Sequence, residues 1–265
     1  MRILVTGKNG QVDTALQIEG DRLGLDIVRI GRPDVDLSKP DTIEAAVREI
    51  CPEVIISSAA YTAVDKAESE PDLAQAVNGD APGVLARLAA ELNIPILHLS
   101  TDCVFSGEKA EPYTETDTPA PISVYGRTKL SGEEQVRAAT DNHVILRISW
   151  VYSALGNNFV KMMLHLSETR DEVTVVADQH GCPTYAPEAA RAAALEEIRA
   201  RREEERALPD LNVLGKPPDR RDFLLSALPP QRMAQRLRRR GWLLLAGAAL
   251  AGLDALWVLQ RHGWL

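Results

Sequence analysis

Short apolar runs alternate with helical patterns through the first hundred residues of this 265-residue chain. Arg2–Thr6 and Asp26–Ile30 read as strands, as do residues 53–56 and 94–99. Between them lie helical patterns through Ala15, Leu16 and Ile18, then through Ile43, Ala46, Val47 and Ile50, then along a stretch reaching Leu92. A strand covered on both faces is a continuous apolar run, and strand alternating with helix four times over predicts an α/β fold of the Rossmann type, a doubly wound parallel sheet. Ligands of such sheets bind beyond the carboxyl ends of the strands, which is where chemistry is to be sought.

The first run ends in Gly7-Lys-Asn-Gly10-Gln11-Val12 and passes directly into a helix. Strand, glycine bend and helix form the setting for a dinucleotide pyrophosphate: Gly7 permits the tight turn, and Gly10 lets backbone N–H groups approach the phosphates. The third glycine position holds Asp13, and a carboxylate there is expected to repel the ligand. The second run ends in Gly31-Arg32-Pro33 with no acid to grip a ribose 2′-hydroxyl. Arg32 suits a 2′-phosphate, favouring NADPH while leaving NADH open, and reads equally well as a solvated loop residue. Asp36-Leu37-Ser-Lys-Pro40 caps the next helix. Small residues follow the third run at Ser57-Ser-Ala59-Ala60-Tyr61, where a flat ring could lie against the backbone or two elements could pack closely.

The fourth run leads into Ser100-Thr101-Asp102, and Tyr125-Gly-Arg-Thr-Lys129 comes later. Residues 127–136 read as helix, so Tyr125 and Lys129 stack one turn apart at its start. A free phenol has a pKa near ~10, and a neighbouring ammonium is expected to bring it toward the working range. Thr101 could hold a carbonyl oxygen beside it. Of the five tyrosines, Tyr125 is the one with lysine four residues on. By itself the pair is weak evidence, since a tyrosine at a helix start is usually a packing residue.

Taken in order, the glycine bend, Ala60-Tyr-Thr-Ala-Val-Asp-Lys-Ala-Glu-Ser-Glu-Pro71, Ser100-Thr-Asp-Cys-Val-Phe105, Val124-Tyr-Gly-Arg-Thr-Lys-Leu-Ser-Gly-Glu133 and Ser149-Trp-Val-Tyr152 resemble the dTDP-4-dehydrorhamnose reductase family of the extended short-chain dehydrogenase/reductase group. The resemblance continues through Gly156-Asn-Asn-Phe159 and Asp178-Gln-His-Gly-Cys-Pro-Thr184, covering about residues 1–195. It implies that Tyr125 protonates the 4-keto oxygen of a dTDP-sugar while NAD(P)H delivers hydride. Lys129 would hold the nicotinamide ribose and tune the phenol, with Thr101 assisting. It further implies substrate contacts at Thr101, Asp102 and Trp150, and cofactor contacts at Gly10, Gln11, Val12, Asp36, Leu37, Ala59, Ala60 and Tyr61, beside the Gly7 and Arg32 already read from the bends. Family members can use Mg²⁺ at a dimer contact, which leaves a homodimer open; no metal ligands are assigned in this chain. Asp13 and Cys103 depart from the family's glycine and tyrosine. A catalytically impaired homologue that binds a nucleotide or partner subunit is the rival reading, and a nucleotide-sugar epimerase or dehydratase a third.

A net charge of -8 argues against nucleic acid as the main partner. Cys51, Cys103 and Cys182 are scattered, giving neither a disulfide framework nor a zinc site, and the start of the chain has no secretory pattern, so a cytoplasmic setting is expected. The domain plan is a reductase domain over 1–198, a charged helix and linker over 199–230, and a basic and apolar helix over 231–265. Residues 199–265 hold 12 arginines and no Ile, Thr, Tyr or Cys, so the substrate lobe reads as incomplete or divergent. Residues 242–259 are apolar enough to approach a membrane span, although Asp254 opposes it. A membrane-associated helix, a helix folded against the domain and a terminus from an altered reading frame stand as equal alternatives.

Overall fold

The computed structural model of the chain describes residues 1–194; the expectations placed on 199–230, 231–265 and the 242–259 helix lie outside them. Strands β1 (Arg2–Thr6), β2 (Asp26–Ile30), β3 (Val54–Ser57), β4 (Ile96–Thr101) and β5 (His143–Ile148) form one parallel sheet in the order β2-β1-β3-β4-β5. The helices are α1 (Gln11–Leu23), α2 (Pro40–Ile50), α3 (Val64–Ala67), α4 (Pro71–Gln75), α5 (Ala81–Leu92), α6 (Val124–Ala139) and α7 (Phe159–Thr169). A π-type segment, Ala76–Asp80, joins α4 to α5, a 3-10 turn covers Asp102–Val104, and residues 186–194 are helical.

Alternate residues of each central strand enter opposite cores. Leu4, Ile55 and Ile96 pack with Ile43 and Val47 of α2 and the apolar side of α5. Ile3, Val5, Val54, Ile56, Leu97 and Leu99 face the other way, against Val12, Ala15 and Leu16 of α1 and Ala186, Ala190 and Ala193. Both faces are thus covered, which is why these strands lack polar alternation. Successive crossovers run to opposite sides of β1, so the strand order reverses between β1 and β3, and a crevice opens there at the carboxyl edge.

The expected strands and helices are present with shifted ends. β3 starts after Glu53, whose carboxylate instead accepts a 2.6 Å hydrogen bond from the Arg2 backbone N–H. β4 starts after Pro95 and runs on to Thr101, placing that hydroxyl in the last residue of the strand. α6 begins three residues before the expected 127, because Ser123 Oγ accepts from the Gly126 N–H at 3.0 Å and caps it. Sequence patterning did not reveal β5. His143 and Arg147 interrupt its apolar run, and all six of its residues are half-buried at the sheet edge.

Candidate active site

β1 delivers the chain into the glycine bend. Gly7 has φ +113°, a conformation open to glycine and costly for other residues. The Thr6 hydroxyl accepts hydrogen bonds from the backbone N–H groups of Ser58 (2.9 Å) and Ala59 (3.0 Å), tying the end of β1 to the end of β3. Between them lies a cleft of about 550 Å³, lined by Gly7, Lys8 and Asn9, by Gly31, Arg32, Asp36 and Leu37, and by Ala59, Ala60 and Tyr61. Seven of the expected cofactor residues therefore share one cavity.

Gln11 and Val12 are placed differently. The Val12 side chain is in the core. The Gln11 amide donates to Val151 O (3.0 Å) and accepts from Ser153 Oγ (2.8 Å) and Asn158 Nδ2 (3.0 Å). Either residue would meet a phosphate through backbone. Asp13, the carboxylate expected to repel the ligand, does not point out of the bend. It is 3% exposed and turned under the bend, where Oδ2 accepts from the Gly10 N–H at 3.1 Å with Arg29 Nη1 3.9 Å away. Burial pushes its pKa up against those two partners.

Further along the cleft, Tyr61 is held at three points. Its N–H donates to Asn78 Oδ1 (2.8 Å), its C=O accepts from Asn78 Nδ2 (3.1 Å), and its hydroxyl donates to Glu70 Oε2 (2.7 Å). Asn78 was not singled out from sequence. It is fully buried inside the π-type segment, beside Gly79. Asp36 accepts from the Ser38 N–H (3.1 Å) and hydroxyl (2.8 Å), which hold its carboxyl below the usual range.

The second half of the site is built by β4 and α6. Thr101 ends the strand, donating to Asp102 Oδ1 (3.0 Å) and accepting from the Cys103 N–H (3.2 Å). Gly126 lets α6 approach this turn: a Cβ there would overlap the Cys103 carbonyl. That approach brings Tyr125, in the first turn of α6, against Thr101, Asp102 and Cys103. Here the expected acidification is corrected. Burial pushes the Tyr125 phenol up to about 12, Cys103 and Asp102 add to the rise, and the Thr101 hydroxyl opposes it.

Lys129 is drawn inward instead of toward the phenol. Its Nζ donates to Leu99 O at 2.6 Å and lies 3.3 Å from His98 Nε2, with the side chain 2% exposed. Burial pushes its pKa down to about 8, partly offset by the carboxylate of Glu133. Glu133, one turn further along α6 and 0% exposed, accepts from Ser100 Oγ (2.5 Å), bidentately from Arg147 (2.8 and 2.6 Å) and from Arg137 (2.9 Å). Burial raises the Glu133 pKa, but these hydrogen bonds outweigh it and hold the group below its ordinary value. The network clamps α6 to β4 and β5 and so fixes the placement of Tyr125 and Lys129.

Trp150 follows β5 with φ +44°, strained backbone for a bulky residue and a mark of functional sites. Its indole covers Gly181, where a Cβ would come within 2.8 Å of the ring. Among the described residues no three His, Cys, Asp or Glu side chains gather as a metal site, and no helix is long and apolar enough to cross a membrane.

The parallel sheet, the glycine bend and the tyrosine and lysine at the sheet's mouth define a protein of the Rossmann-type class. A family model for the RmlD substrate binding domain matches residues 1–208. The dTDP-4-dehydrorhamnose reductase of Sinorhizobium fredii is 56% identical over 186 residues, 70% of this chain and 62% of that protein. A crystal structure of a dTDP-4-dehydrorhamnose reductase from Clostridium acetobutylicum superposes with a TM-score of 0.71 at 40% identity, covering 76% of this chain and 71% of that one. The Bacillus anthracis dTDP-4-dehydrorhamnose reductase in complex with NADP gives 0.71 at 38% identity, covering 74% and 70%. The chain belongs to the RmlD substrate binding domain family. It spans a little over three fifths of the length of the curated relatives it matches, 62% for the S. fredii protein.

Proposed function

We propose that this protein reduces the 4-keto group of a dTDP-4-keto-6-deoxy sugar, converting dTDP-4-dehydrorhamnose to dTDP-rhamnose with NAD(P)H. The observation that carries the reading is the meeting of the Tyr125 phenol with Thr101 at the carboxyl edge of β4, on the same edge as the glycine bend. The S. fredii relative is named for this reaction, and the B. anthracis relative is an NADP complex.

The cleft suits a dinucleotide, with an open glycine bend at one side and the small Ala59 and Ala60 at the other. The Gly10–Val12 backbone at the start of α1 would hold the pyrophosphate. Asp36, Leu37, Ala59, Ala60 and Tyr61 would line the adenosine side, and Arg32 would meet a 2′-phosphate. When bound, NAD(P)H supplies the hydride that adds to carbon 4 of the sugar.

Tyr125 then donates its proton to the carbonyl oxygen as the C=O π bond breaks, and the phenolate regains a proton from solvent. A phenol with a pKa of about 12 is protonated at neutral pH, and an alkoxide is basic enough to take its proton. Thr101 orients the carbonyl oxygen, Lys129 holds the nicotinamide ribose, and Asp102 and Trp150 contact the sugar nucleotide. The free thiols of Cys51, Cys103 and Cys182 fit a cytoplasmic setting. Incubating the full chain with dTDP-4-dehydrorhamnose and NADPH tests the reading: dTDP-rhamnose formed in step with NADPH oxidation supports it, and no product at any enzyme concentration defeats it.

A further inference from the structure

His98 interrupts the apolar run Ile96-Leu97-His98-Leu99 and is 0% exposed in the middle of β4. In the β3–β4 register it stands opposite Ser57, and its Nδ1 is 3.1 Å from Ser57 Oγ. On its other side Nε2 is 3.3 Å from Lys129 Nζ. The lysine's second acceptor is Leu99 O. An ammonium has three N–H donors and accepts nothing, so a facing imidazole nitrogen must offer a lone pair. The His98 proton therefore sits on Nδ1 and is given to Ser57.

We propose that His98, set by Ser57, is the positioning residue that orients Lys129 and keeps it protonated for the cofactor ribose. The inference rests on the reductase reading above. With Leu99 O and His98 taking two N–H groups, one N–H remains for the cofactor ribose. An apolar residue would fill this core position without desolvating a polar ring, so packing does not account for an imidazole here. The charged groups around the ring are Lys129 and Arg137 on α6, while Ser57 on β3 is neutral. Burial, then those two cations, push the His98 pKa well below its ordinary value, which keeps Nε2 an acceptor across the neutral range.

The test compares wild type with His98→Leu, His98→Gln and Ser57→Ala. It reads NADPH affinity by fluorescence titration, the pH profile of turnover, and the titration of Lys129 by NMR of its Cε. Losing the acceptor is expected to weaken NADPH binding about tenfold and to move the Lys129 titration about one unit lower. His98→Gln, whose amide oxygen can accept, should recover most of both. Ser57→Ala frees the imidazole to exchange tautomers and should shift both readouts in the same direction by less, which keeps the inference testable if His98→Leu does not fold. Folded His98→Leu or Ser57→Ala protein with unchanged NADPH affinity and unchanged Lys129 titration overturns it. Wild-type protein that shows no turnover overturns the reductase reading instead, and the Lys129 titration still decides the role of His98.

Discussion

The Asp13 carboxylate accepts a 3.1 Å hydrogen bond from the Gly10 backbone N–H, so the first helix is capped by a charge directly beneath the bend that would receive a pyrophosphate. Glycine at this position would leave that N–H free and the potential more positive. Asp13→Asn keeps the shape and an acceptor but removes the charge, leaving Arg29 uncompensated 3.9 Å away. NADPH affinity at low salt should improve about two- to fivefold, and the gain should shrink as salt screens the phosphates. Fluorescence titration across a salt series checks this; weaker binding by Asp13→Asn would show that the carboxylate organises the bend.

Glu133 is the clamp of the site. Removing it leaves Arg147 and Ser100 without their acceptor, and Glu133→Ala should cost about 3–5 kcal/mol in urea unfolding, as for other broken buried pairs. Its folded pKa lies below the unfolded value, so the stability it contributes is present above the unfolded pKa and is lost as pH falls through the folded one. Wild-type protein should therefore lose stability on acidification below about pH 4.5, and Glu133→Gln should flatten that loss.

Lys129 should set the basic limit of activity. Burial brings its pKa down to about 8 while Tyr125 stays near 12, so turnover should fall as pH rises through about 8, with the phenol still protonated. The stability sign is opposite. A lysine with a depressed folded pKa is least favourable to the fold when charged, and the penalty is relieved between the folded and unfolded values. Stability should rise with pH from about 8 toward 10.5 even as activity declines, and Lys129→Met should abolish both trends. Parallel pH series of turnover and urea midpoint check this.

Arg32 is exposed on the rim of the cleft, beyond the end of β2. Arg32→Ala should weaken NADPH about five- to tenfold and change NADH by less than about twofold, because only NADPH carries the 2′-phosphate. Equal losses for both cofactors would remove Arg32 from any role in choosing between them.

Four of the strands, the glycine bend and the tyrosine and lysine pair could be read from sequence because each is encoded locally. What could not be read depends on distant partners. Lys129 turns inward because Leu99 O and His98, on a strand thirty-odd residues earlier, accept its protons. Spacing along the helix suggested that it faced the phenol. Tyr125 is less acidic than expected because burial and the neighbouring thiol and carboxylate outweigh the one opposing influence, the Thr101 hydroxyl. β5 escaped notice because its arginine is satisfied by Glu133 on α6, a partner that no local pattern announces. The cap made by Asp13 was legible and went unread: three residues after the cap is where a side chain reaches back to the helix start, so its sequence position already carried that signal.

The most direct measurement is the turnover of Tyr125→Phe with dTDP-4-dehydrorhamnose and NADPH. The substitution removes one hydroxyl and keeps the ring that fills the site. The account predicts a fall of about 10²–10⁴-fold, the worth of a positioned proton donor, with NADPH affinity and thermal midpoint close to wild type. Turnover within a few-fold of wild type would contradict it.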